Sequence, residues 1–539
     1  MSRVAVAELV ESRKVRPVRA FDRLANRPVG AVGVVCGMAL LVSAGLSAIR
    51  RPFPRVHDEF CNVLAADTFC QGRLSMPTHP FWPHFETFHV LMRPTYASKY
   101  PPFPALLLAA GQWVAGSLLA GSWLGFALAA GATCWMLQGW TRPRWALLGG
   151  LLVALHHGAH GGIDAAGRDY SWSQGFWGGS AGLLGGSLVL GAVARLRRRG
   201  GLRPAAALGL GLGILAATRP FEGAILGGLS VAWWLVAAGR DGTLRGRLGE
   251  AAVAGAVLLP ALGLLGLANR SVTGSPFRMP YSEYESQYDP VPVFTMLGRP
   301  KPPPGYRHAE LERFYNDWCL SLWTRQQTPA GWWAFHRERL GWLWRFYVGP
   351  LVLPALLIPA VLVRRRPRAW FAAGLIGACV GVHGLTMGVH PHYVAPAAGA
   401  FVYLVVEGLR LLGTYRFAGI RVGRMLVVLT LLMVVVKLGL VCHARATAPE
   451  SWEEVRAGIE QSLRDQEGSH LVVVRYAADH DVHAEWVYNA ADIDKSRVVW
   501  AREMDPASMR RLLGYFKERR VWLVEPDQTH PSIRPYSPD

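Results

Sequence analysis

Charged side chains are scarce in this chain of 539 residues, because only 17% of them are Asp, Glu, Lys or Arg. Soluble globular domains carry about 25% charged residues. Long apolar blocks such as Val29–Ile49 and Met425–Val441 hold almost no charge, whereas Arg195–Arg199 is dense in arginine. A helix needs about 20 apolar residues to cross the ~30 Å core of a bilayer. The scarcity of charge therefore excludes an ordinary soluble domain and predicts an integral membrane protein.

Paired cysteine motifs are also missing. The seven cysteines form no CxxC pair and show no zinc-binding spacing. Most lie in or beside apolar blocks, where cysteine usually fills space in a core. Cys61 and Cys70 share one loop, and two free thiols are favoured there over a disulfide. The cysteines therefore predict neither a structural zinc module nor a disulfide framework.

The net charge of +20 could suggest a nucleic-acid partner, but the placement of the arginines argues against one. They lie in short clusters between apolar blocks, as the positive-inside rule expects of cytoplasmic loops. No cleavable signal peptide is evident, because the first apolar block begins only at Val29 and is too long for a signal sequence. We therefore expect a basic, cytoplasmic N-terminus and no nucleic-acid partner.

The apolar blocks predict a polytopic α-helical protein with about 11 spans. One further apolar segment, Phe103–Leu119, is predicted to be an interfacial or re-entrant helix on the outer face, because only then do the arginine clusters all fall inside. The large loops 50–102 and 269–343 then lie outside. The predicted spans are Val29–Ile49, Ser122–Trp140, Trp145–His160, Phe176–Ala194, Arg203–Thr218, Phe221–Ala238, Leu248–Ala268, Trp344–Val363, Ala369–Met387, Tyr393–Leu412 and Met425–Val441.

The chain is predicted to divide into a membrane domain, 1–442, and a small soluble α/β domain, 443–539, on the outer side. The pattern in the tail predicts helices at Trp452–Leu463 and Met504–Glu518 and strands at His470–Tyr476 and Arg520–Val524. Alternating strands and helices are typical of a small α/β domain.

The first outer loop, 50–102, holds the residues that are best suited to catalysis. His57, Asp58 and Glu59 follow the first span by a few residues and precede a segment that looks helical. Acids at a helix start are commonly caps, so a structural role is one interpretation. A carboxylate just above the membrane can also act as a general base. Asp169, in the predicted outer turn Gly162–Gly175, is interpreted as an ordinary loop residue beside Arg168.

Three features, taken together, resemble a known family. The acidic pair Asp58-Glu59 opens the first outer loop, the Lys-Tyr-Pro-Pro run Lys99–Pro102 closes it, and the His-Tyr-x-x-Pro element His392–Pro396 starts a late span. This order resembles the GT-C superfamily of membrane glycosyltransferases, in particular its protein mannosyltransferase and lipid A aminoarabinose transferase branch. The resemblance extends to about Leu412 and does not cover the tail. It implies a GT-C-like fold and a polyprenyl-phosphate-sugar donor.

The resemblance also implies site residues. In that family the first-loop acid is the catalytic base or positions the acceptor, and Asp58 takes that role here, with Glu59 as the alternative. A phosphate leaving group needs positive charge at membrane depth. Lys99 matches the family's basic residue before the Pro-Pro turn, and Arg219 is a second candidate. Arg219 could equally snorkel to the interface or pair with Glu222.

The late motif is the third candidate part of the donor phosphate site. His392 and Tyr393 correspond to the family's His-Tyr element. Related families often carry a basic residue near this position, whereas His390 and Pro391 precede it here. This departure from the family pattern weakens the assignment of the motif to phosphate binding.

A second group in the first outer loop contains candidate acceptor or metal ligands. His84, Glu86 and His89 lie close together in a segment rich in proline and aromatics. Some members of the family bind a divalent ion in this region. The spacing is not HExxH, so a sugar-binding or structural loop is favoured over a metal site. No cofactor is certain, and a divalent metal ion stays the open alternative.

These observations predict a glycosyltransferase of the hexosyl or pentosyl type, in a bacterial inner membrane. It would transfer a sugar from a polyprenyl-phosphate-linked donor to an acceptor at the outer face. The alternative is a transporter or flippase of a lipid-linked or polar substrate. Transporters place ionisable residues near the bilayer midplane, whereas the polar residues here concentrate in the outer loops.

Overall fold

A computed structural model of the protein describes residues 16–157, 171–296, 298–302, 304–364, 367–388 and 390–537. Asp169 lies outside the described residues, as do the end of the predicted span Trp145–His160, most of the turn Gly162–Gly175, part of the cluster Arg364–Arg368 and the first basic residues of the chain.

Most of the described chain is helical. The helices of the membrane part are α1 (Arg16–Ala25), α2 (Pro28–Ile49), α3 (His57–Cys70), α4 (Phe103–Ala115), α5 (Leu118–Trp140), α6 (Pro143–Leu152), α7 (Gly179–Leu196), α8 (Leu202–Ala216), α9 (Pro220–Arg240), α10 (Leu248–Thr273), α11 (Pro280–Tyr288), α12 (Ala309–Glu312), α13 (Leu320–Arg325), α14 (Pro329–Tyr347), α15 (Val352–Leu356), α16 (Ile358–Val363), α17 (Pro367–Gly381), α18 (Ala398–Leu412) and α19 (Val422–Thr447). The tail adds α20 (Trp452–Arg464) and α21 (Pro506–Tyr515).

Within the described residues, 8 helical segments are long and apolar enough to cross a membrane. They are α2, α5, α7, α9, α10 with the turn before it, α17 with the turn after it, α18 with the turn before it, and α19. The predicted number of about 11 spans is therefore not confirmed. The predicted span Arg203–Thr218 is the 15-residue helix α8. The predicted span Trp344–Val363 is broken, because α14 and the segment Gly349–Val363 meet at 89°.

Helices α4 and α5 form a tight hairpin. A Cβ on Gly111 would lie 2.0 Å from the backbone nitrogen of Gly121, so the two helices pack backbone against backbone, as small residues allow in membrane proteins. The turn between them passes through Gly116, whose φ of 64° suits glycine. With 13 residues and a rise of 1.5 Å per residue, α4 is about 20 Å long, which is shorter than a ~30 Å bilayer core. The side of the membrane on which it lies stays a prediction.

Two small sheets complete the described fold. The first outer loop forms an antiparallel sheet of order β1-β3-β2, from β1 (Met76–Pro77), β2 (Val90–Leu91) and β3 (Thr95–Ser98). The tail forms a sheet of order β5-β4-β6-β7, from β4 (His470–Val474), β5 (Val498–Arg502), β6 (Arg520–Val524) and β7 (Ile533–Pro535). Strands β4, β5 and β6 are parallel, and β7 is antiparallel to β6. The sheet and its two helices agree with the predicted α/β pattern, whereas β5 and β7 were not predicted.

The tail packs directly on the first outer loop. Phe60 and Leu64 of α3 share a buried hydrophobic cluster with Leu471 and Tyr488 of the tail. The ring of Phe60 stacks on that of Tyr488, with centroids 4.1 Å apart and planes within 3°. The tail therefore covers the loop that carries the predicted acidic pair.

Candidate active site around Asp58

Helix α3 begins at His57, so its first turn holds both predicted acids. Successive residues of a helix point about 100° apart, and the two carboxylates accordingly face different surroundings. Asp58 Oδ1 accepts hydrogen bonds from His89 Nδ1 at 3.0 Å and from the Tyr100 hydroxyl at 2.7 Å. Asp58 keeps 23% of its side-chain surface exposed. Its Oδ2 carries no hydrogen bond within the described part of the chain.

Glu59 has a structural environment instead. It is 1% exposed, and its two oxygens accept backbone N–H groups, from Phe176 at 2.8 Å and from Arg55 at 3.0 Å. Burial raises the pKa of Glu59 to about 7. These contacts tie α3 to the turn before α7, so the geometry favours Asp58 over Glu59 as the acid that a substrate can reach.

Electrostatics keep Asp58 ionised. Burial by itself raises the pKa of Asp58, but the hydrogen bonds from His89 and Tyr100 outweigh it and hold that pKa below its ordinary value of 3.8. Burial, together with the ammonium of Lys99, lowers the pKa of His89. An ionised carboxylate only accepts hydrogen bonds, so His89 Nδ1 is the donor, and a hydrogen bond to a charged carboxylate is among the stronger kinds.

The backbone at His89 is unusual. Its φ is 62°, a left-handed conformation that costs a non-glycine residue energy unless its surroundings enforce it. The backbone N–H of His89 donates to the Tyr284 hydroxyl at 2.8 Å, and its carbonyl accepts from Lys99 N at 3.1 Å. Such strain often marks a functional position, and here it turns the imidazole toward Asp58.

Lys99, near the end of the first outer loop, has an ammonium group that already forms an ion pair. Its Nζ is 3.2 Å from Glu285 Oε1, and its side chain is 6% exposed. The ammonium also lies 4.7 Å from the ring centroids of both Tyr281 and Tyr284. Its predicted role as a phosphate ligand stays a prediction, because a phosphate would have to compete with Glu285.

Arg219 contacts the late motif that contains His392 and Tyr393, although this motif lies far along the chain from Arg219. The Arg219 guanidinium lies 4.2 Å from the centroid of the Tyr393 ring. His392 is 3% exposed, and its Nε2 has no hydrogen-bond partner within the described residues. Burial and the charge of Arg219 hold the pKa of His392 well below its ordinary value, whereas the charge of Asp58 raises it. This group therefore lies within electrostatic range of the Asp58 carboxylate.

The alternative roles suggested for Arg219 find less support. Glu222 does not form an ion pair with Arg219 among the described residues, and its carboxylate is instead 3.5 Å from His383 Nε2. The cation–π contact with Tyr393 directs the guanidinium toward the His392 group. Arg219 therefore remains a candidate for binding an anion.

The candidate acceptor or metal group in the first loop does not form one site. His84 Nδ1 lies 3.1 Å from the Arg502 carbonyl, Glu86 accepts from the Tyr288 hydroxyl at 2.7 Å, and only His89 reaches Asp58. Among the described residues, no three His, Cys, Asp or Glu side chains converge as a metal ion would require. The assignment of His84, Glu86 and His89 as acceptor or metal ligands stays a prediction, and the three side chains have different partners in this structure.

A large cavity lies on another side of α3. A cleft of about 1120 Å³ separates the tail from α3 and α4, and its lining includes Phe60, Asp67, Gln112 and Arg464. Asp58 is two residues from Phe60, which corresponds to about 200° around the helix. The cleft therefore lies on the opposite face of α3 from the Asp58 carboxylate.

Sequence reasoning missed two partners of Asp58. Tyr100 was noticed only as part of the Lys-Tyr-Pro-Pro run, and His89 only as a candidate metal ligand. The run itself is a signal for Tyr100, because it follows Lys99 and closes the loop that Asp58 opens. The adjacent His57 does not bond to Asp58 among the described contacts, and its Nδ1 lies 2.8 Å from the Tyr488 hydroxyl.

Comparisons with known proteins identify solved structures with a similar fold. No protein-family model and no curated protein sequence matches the chain. The crystal structure of ArnT from Cupriavidus metallidurans in the apo state matches with a TM-score of 0.50 and 14% identity, covering 92% of this chain and 93% of that one. ArnT bound to undecaprenyl phosphate matches at 0.48, with 14% identity over 92% and 93%. The Archaeoglobus fulgidus oligosaccharyltransferase complex with Zn and sulfate matches at 0.49, with 13% identity over 91% and 67%.

At 14% identity, the match to apo ArnT shows the fold. The protein therefore shares the fold of this crystal structure.

Proposed function

We propose that the protein is a glycosyltransferase that moves a hexose or pentose from a polyprenyl-phosphate donor to an acceptor at the outer face of a bacterial inner membrane. One observation carries the proposal. On the fold shared with ArnT, an ionised, partly exposed Asp58 is held by His89 and Tyr100. Its charge acts on the buried His392, which is adjacent to Tyr393, the ring that the half-buried Arg219 contacts. The outer-face location in this proposal rests on the arginine clusters, which the positive-inside rule assigns to cytoplasmic loops.

Asp58 suits the acceptor side of this reaction. His89 and Tyr100 both bond to Oδ1, which leaves Oδ2 for the hydroxyl or amine of an acceptor. A carboxylate there orients the attacking group and takes its proton as the bond to the sugar forms. No step requires a metal, and the described side chains do not supply a three-ligand site for one.

Arg219 and His392 suit the donor side. The leaving phosphate becomes more negative as the sugar departs, and fixed donors lower that barrier most where water is excluded. A guanidinium can donate two parallel hydrogen bonds to a phosphate. The buried Nε2 of His392, which has no partner within the described residues, can donate a third if it carries the ring proton. Tyr393 holds the guanidinium in place through its ring.

Binding of polyprenyl phosphate tests the donor side. Arg219→Ala should weaken the affinity by about tenfold or more, because a hydrogen bond to a charged group contributes about 1.5–3 kcal/mol. Arg240→Ala is the matched control, because Arg240 ends the same helix, α9, that Arg219 precedes. Equal affinity in the two variants would contradict the proposed phosphate site.

Product analysis separates the proposal from the transporter alternative. A transferase breaks the bond between sugar and phosphate, so the purified protein in nanodiscs should release sugar-free polyprenyl phosphate from a matching donor when acceptor is present. A transporter leaves that bond intact. If donors are moved across vesicle membranes and no sugar-free lipid forms, the glycosyltransferase proposal is wrong.

A further inference from the structure

One tyrosine of the tail lies between the two loop segments that supply Asp58 and His89. The Tyr488 hydroxyl is 2.8 Å from His57 Nδ1 and 3.4 Å from the carbonyl of Phe88. If His57 donates its Nδ1–H, the hydroxyl accepts that bond and donates its own hydrogen to Phe88. The two residues that the Tyr488 hydroxyl contacts, His57 and Phe88, thus immediately precede Asp58 and His89 in the chain.

These neighbours form one packed unit. His57 directly precedes Asp58, Phe88 directly precedes His89, and the His57 and Phe88 rings stack with centroids 4.3 Å apart. Tyr488 is 7% exposed, and its ring stacks on Phe60 one turn further along α3. Loss of the Tyr488 hydroxyl therefore affects Asp58 through its neighbour His57, and His89 through its neighbour Phe88.

Tyr488 is itself held firmly by the tail. The Arg456 guanidinium donates to the Tyr488 carbonyl at 2.8 Å and to the Trp486 carbonyl at 2.9 Å. Arg456 is 7% exposed and belongs to α20. The hydroxyl is thus presented from a rigid support rather than from a free loop.

The bond between Asp58 and His89 needs such support. It joins the start of α3 to a residue 31 positions later, and the left-handed backbone of His89 persists only where its surroundings enforce it. We infer that Tyr488 is a positioning residue, through which the C-terminal domain sets the distance between Asp58 and His89. The inference rests on the proposed function, because it makes the tail part of that same active site.

The variant Tyr488→Phe isolates the hydroxyl, because it keeps the ring that stacks on Phe60. We expect kcat to fall about tenfold or more, since small displacements of reacting groups are costly, while KM for the lipid donor changes less than about twofold. The acid limb of the pH–rate profile should move to higher pH. The reason is that Asp58 has its pKa lowered by the bond from His89, and a looser bond lets that pKa rise.

Tyr96→Phe is the matched control. The Tyr96 hydroxyl also joins the first outer loop to the tail, by donating to the Asn489 carbonyl at 3.1 Å, but it does not contact the residues before Asp58 or His89. Tyr488→Phe loses two hydrogen bonds at this interface and Tyr96→Phe loses one, so the free energy of unfolding should fall by about 2 kcal/mol and about 1 kcal/mol, respectively. Only Tyr488→Phe should change kcat and the pH profile. Equal kinetics in the two variants would overturn the inference.

Amide hydrogen exchange on the full-length protein gives a readout that does not depend on activity. In Tyr488→Phe, exchange should accelerate at residues 57–61 and 87–90, whereas Tyr96→Phe should leave these segments as in the wild type. Unchanged protection there in Tyr488→Phe would refute the positioning role. If exchange accelerates but the wild type transfers no sugar, the proposed function fails and the structural coupling stands.

Discussion

Replacing Asp58 by Asn removes one negative charge with almost no change in shape. Asn Oδ1 can still accept the hydrogen bonds that Asp58 Oδ1 receives from His89 and Tyr100, so the loop should fold and the protein should insert normally. The second position then carries an NH₂ group, which donates where the carboxylate accepted. An acceptor hydroxyl loses both its orientation and the group that takes its proton.

The size of the effect follows from general-base catalysis. Removing a positioned base typically costs 10²–10⁴-fold in rate, or about 3–5 kcal/mol in the activation barrier. The affinity for polyprenyl phosphate should fall little, or should even rise, because removal of a carboxylate near His392 reduces repulsion of the phosphate. Low kcat with intact donor binding is therefore the expected pattern for Asp58→Asn.

Single-turnover assays give the sharpest measurement. Protein in nanodiscs is loaded with labelled polyprenyl-phosphate sugar, acceptor is added, and the sugar-free lipid is quantified over time, while thermal unfolding checks the fold. Full activity in Asp58→Asn with loss in Glu59→Gln would mean that Glu59 is the reacting acid. Full activity in both variants would refute the assignment of this loop to catalysis.

Four further predictions follow. Glu59→Gln should lower stability by about 1–3 kcal/mol, since one of the two backbone N–H groups bound to Glu59 loses its acceptor, while activity per folded molecule falls less than in Asp58→Asn. The rate should stay flat from about pH 5 to 8 if Asp58 reacts, because its pKa lies below 3.8; a limb near pH 7 that disappears in Glu59→Gln would contradict this. The double variant Lys99→Ala/Glu285→Gln, which avoids an uncompensated buried charge, should bind polyprenyl phosphate more weakly than Glu285→Gln, and equal binding removes Lys99 from the site. In a cysteine-free background, Lys517→Cys in the tail should react with an impermeant reagent in intact cells, and reaction only after permeabilisation would invert the proposed topology.

Much of the fold could be predicted, because the long apolar blocks are a direct consequence of the bilayer. Helices α2, α5 and α9 begin and end within four residues of the predicted spans. The count of about 11 is not confirmed, and hydropathy and geometry diverge in one of the predicted spans. The segment around Gly349 is apolar enough to be predicted as one span, but the chain turns by 89° there, and hydropathy carries no information about such a bend.

The candidate site could be predicted in part. The sequence pointed to Asp58, Arg219 and His392, because each lies in a motif or at the end of an apolar block, and their roles stay predictions. The role of His89 could not be predicted, since it depends on a left-handed φ of 62° in a loop with irregular structure. The inferred contribution of Tyr488 arises from contacts between residues 431 and 400 positions apart, and no local pattern in the sequence predicts such a contact.

The electrostatics of Asp58 determine how the proposed reaction must proceed. A carboxylate whose pKa lies below 3.8 is always charged at neutral pH, but it is a weak base, and the efficiency of a general base falls as its pKa moves away from the working pH. Asp58 can therefore take a proton only from an acceptor oxygen that has already begun to bond to the sugar and has become acidic. In the proposed mechanism, most of the barrier is then lowered at the leaving phosphate, which is the role proposed for Arg219 and His392. Departure of the phosphate precedes proton transfer in such a sequence, and the main task of Asp58 is to aim the acceptor at a sugar that is already leaving its lipid.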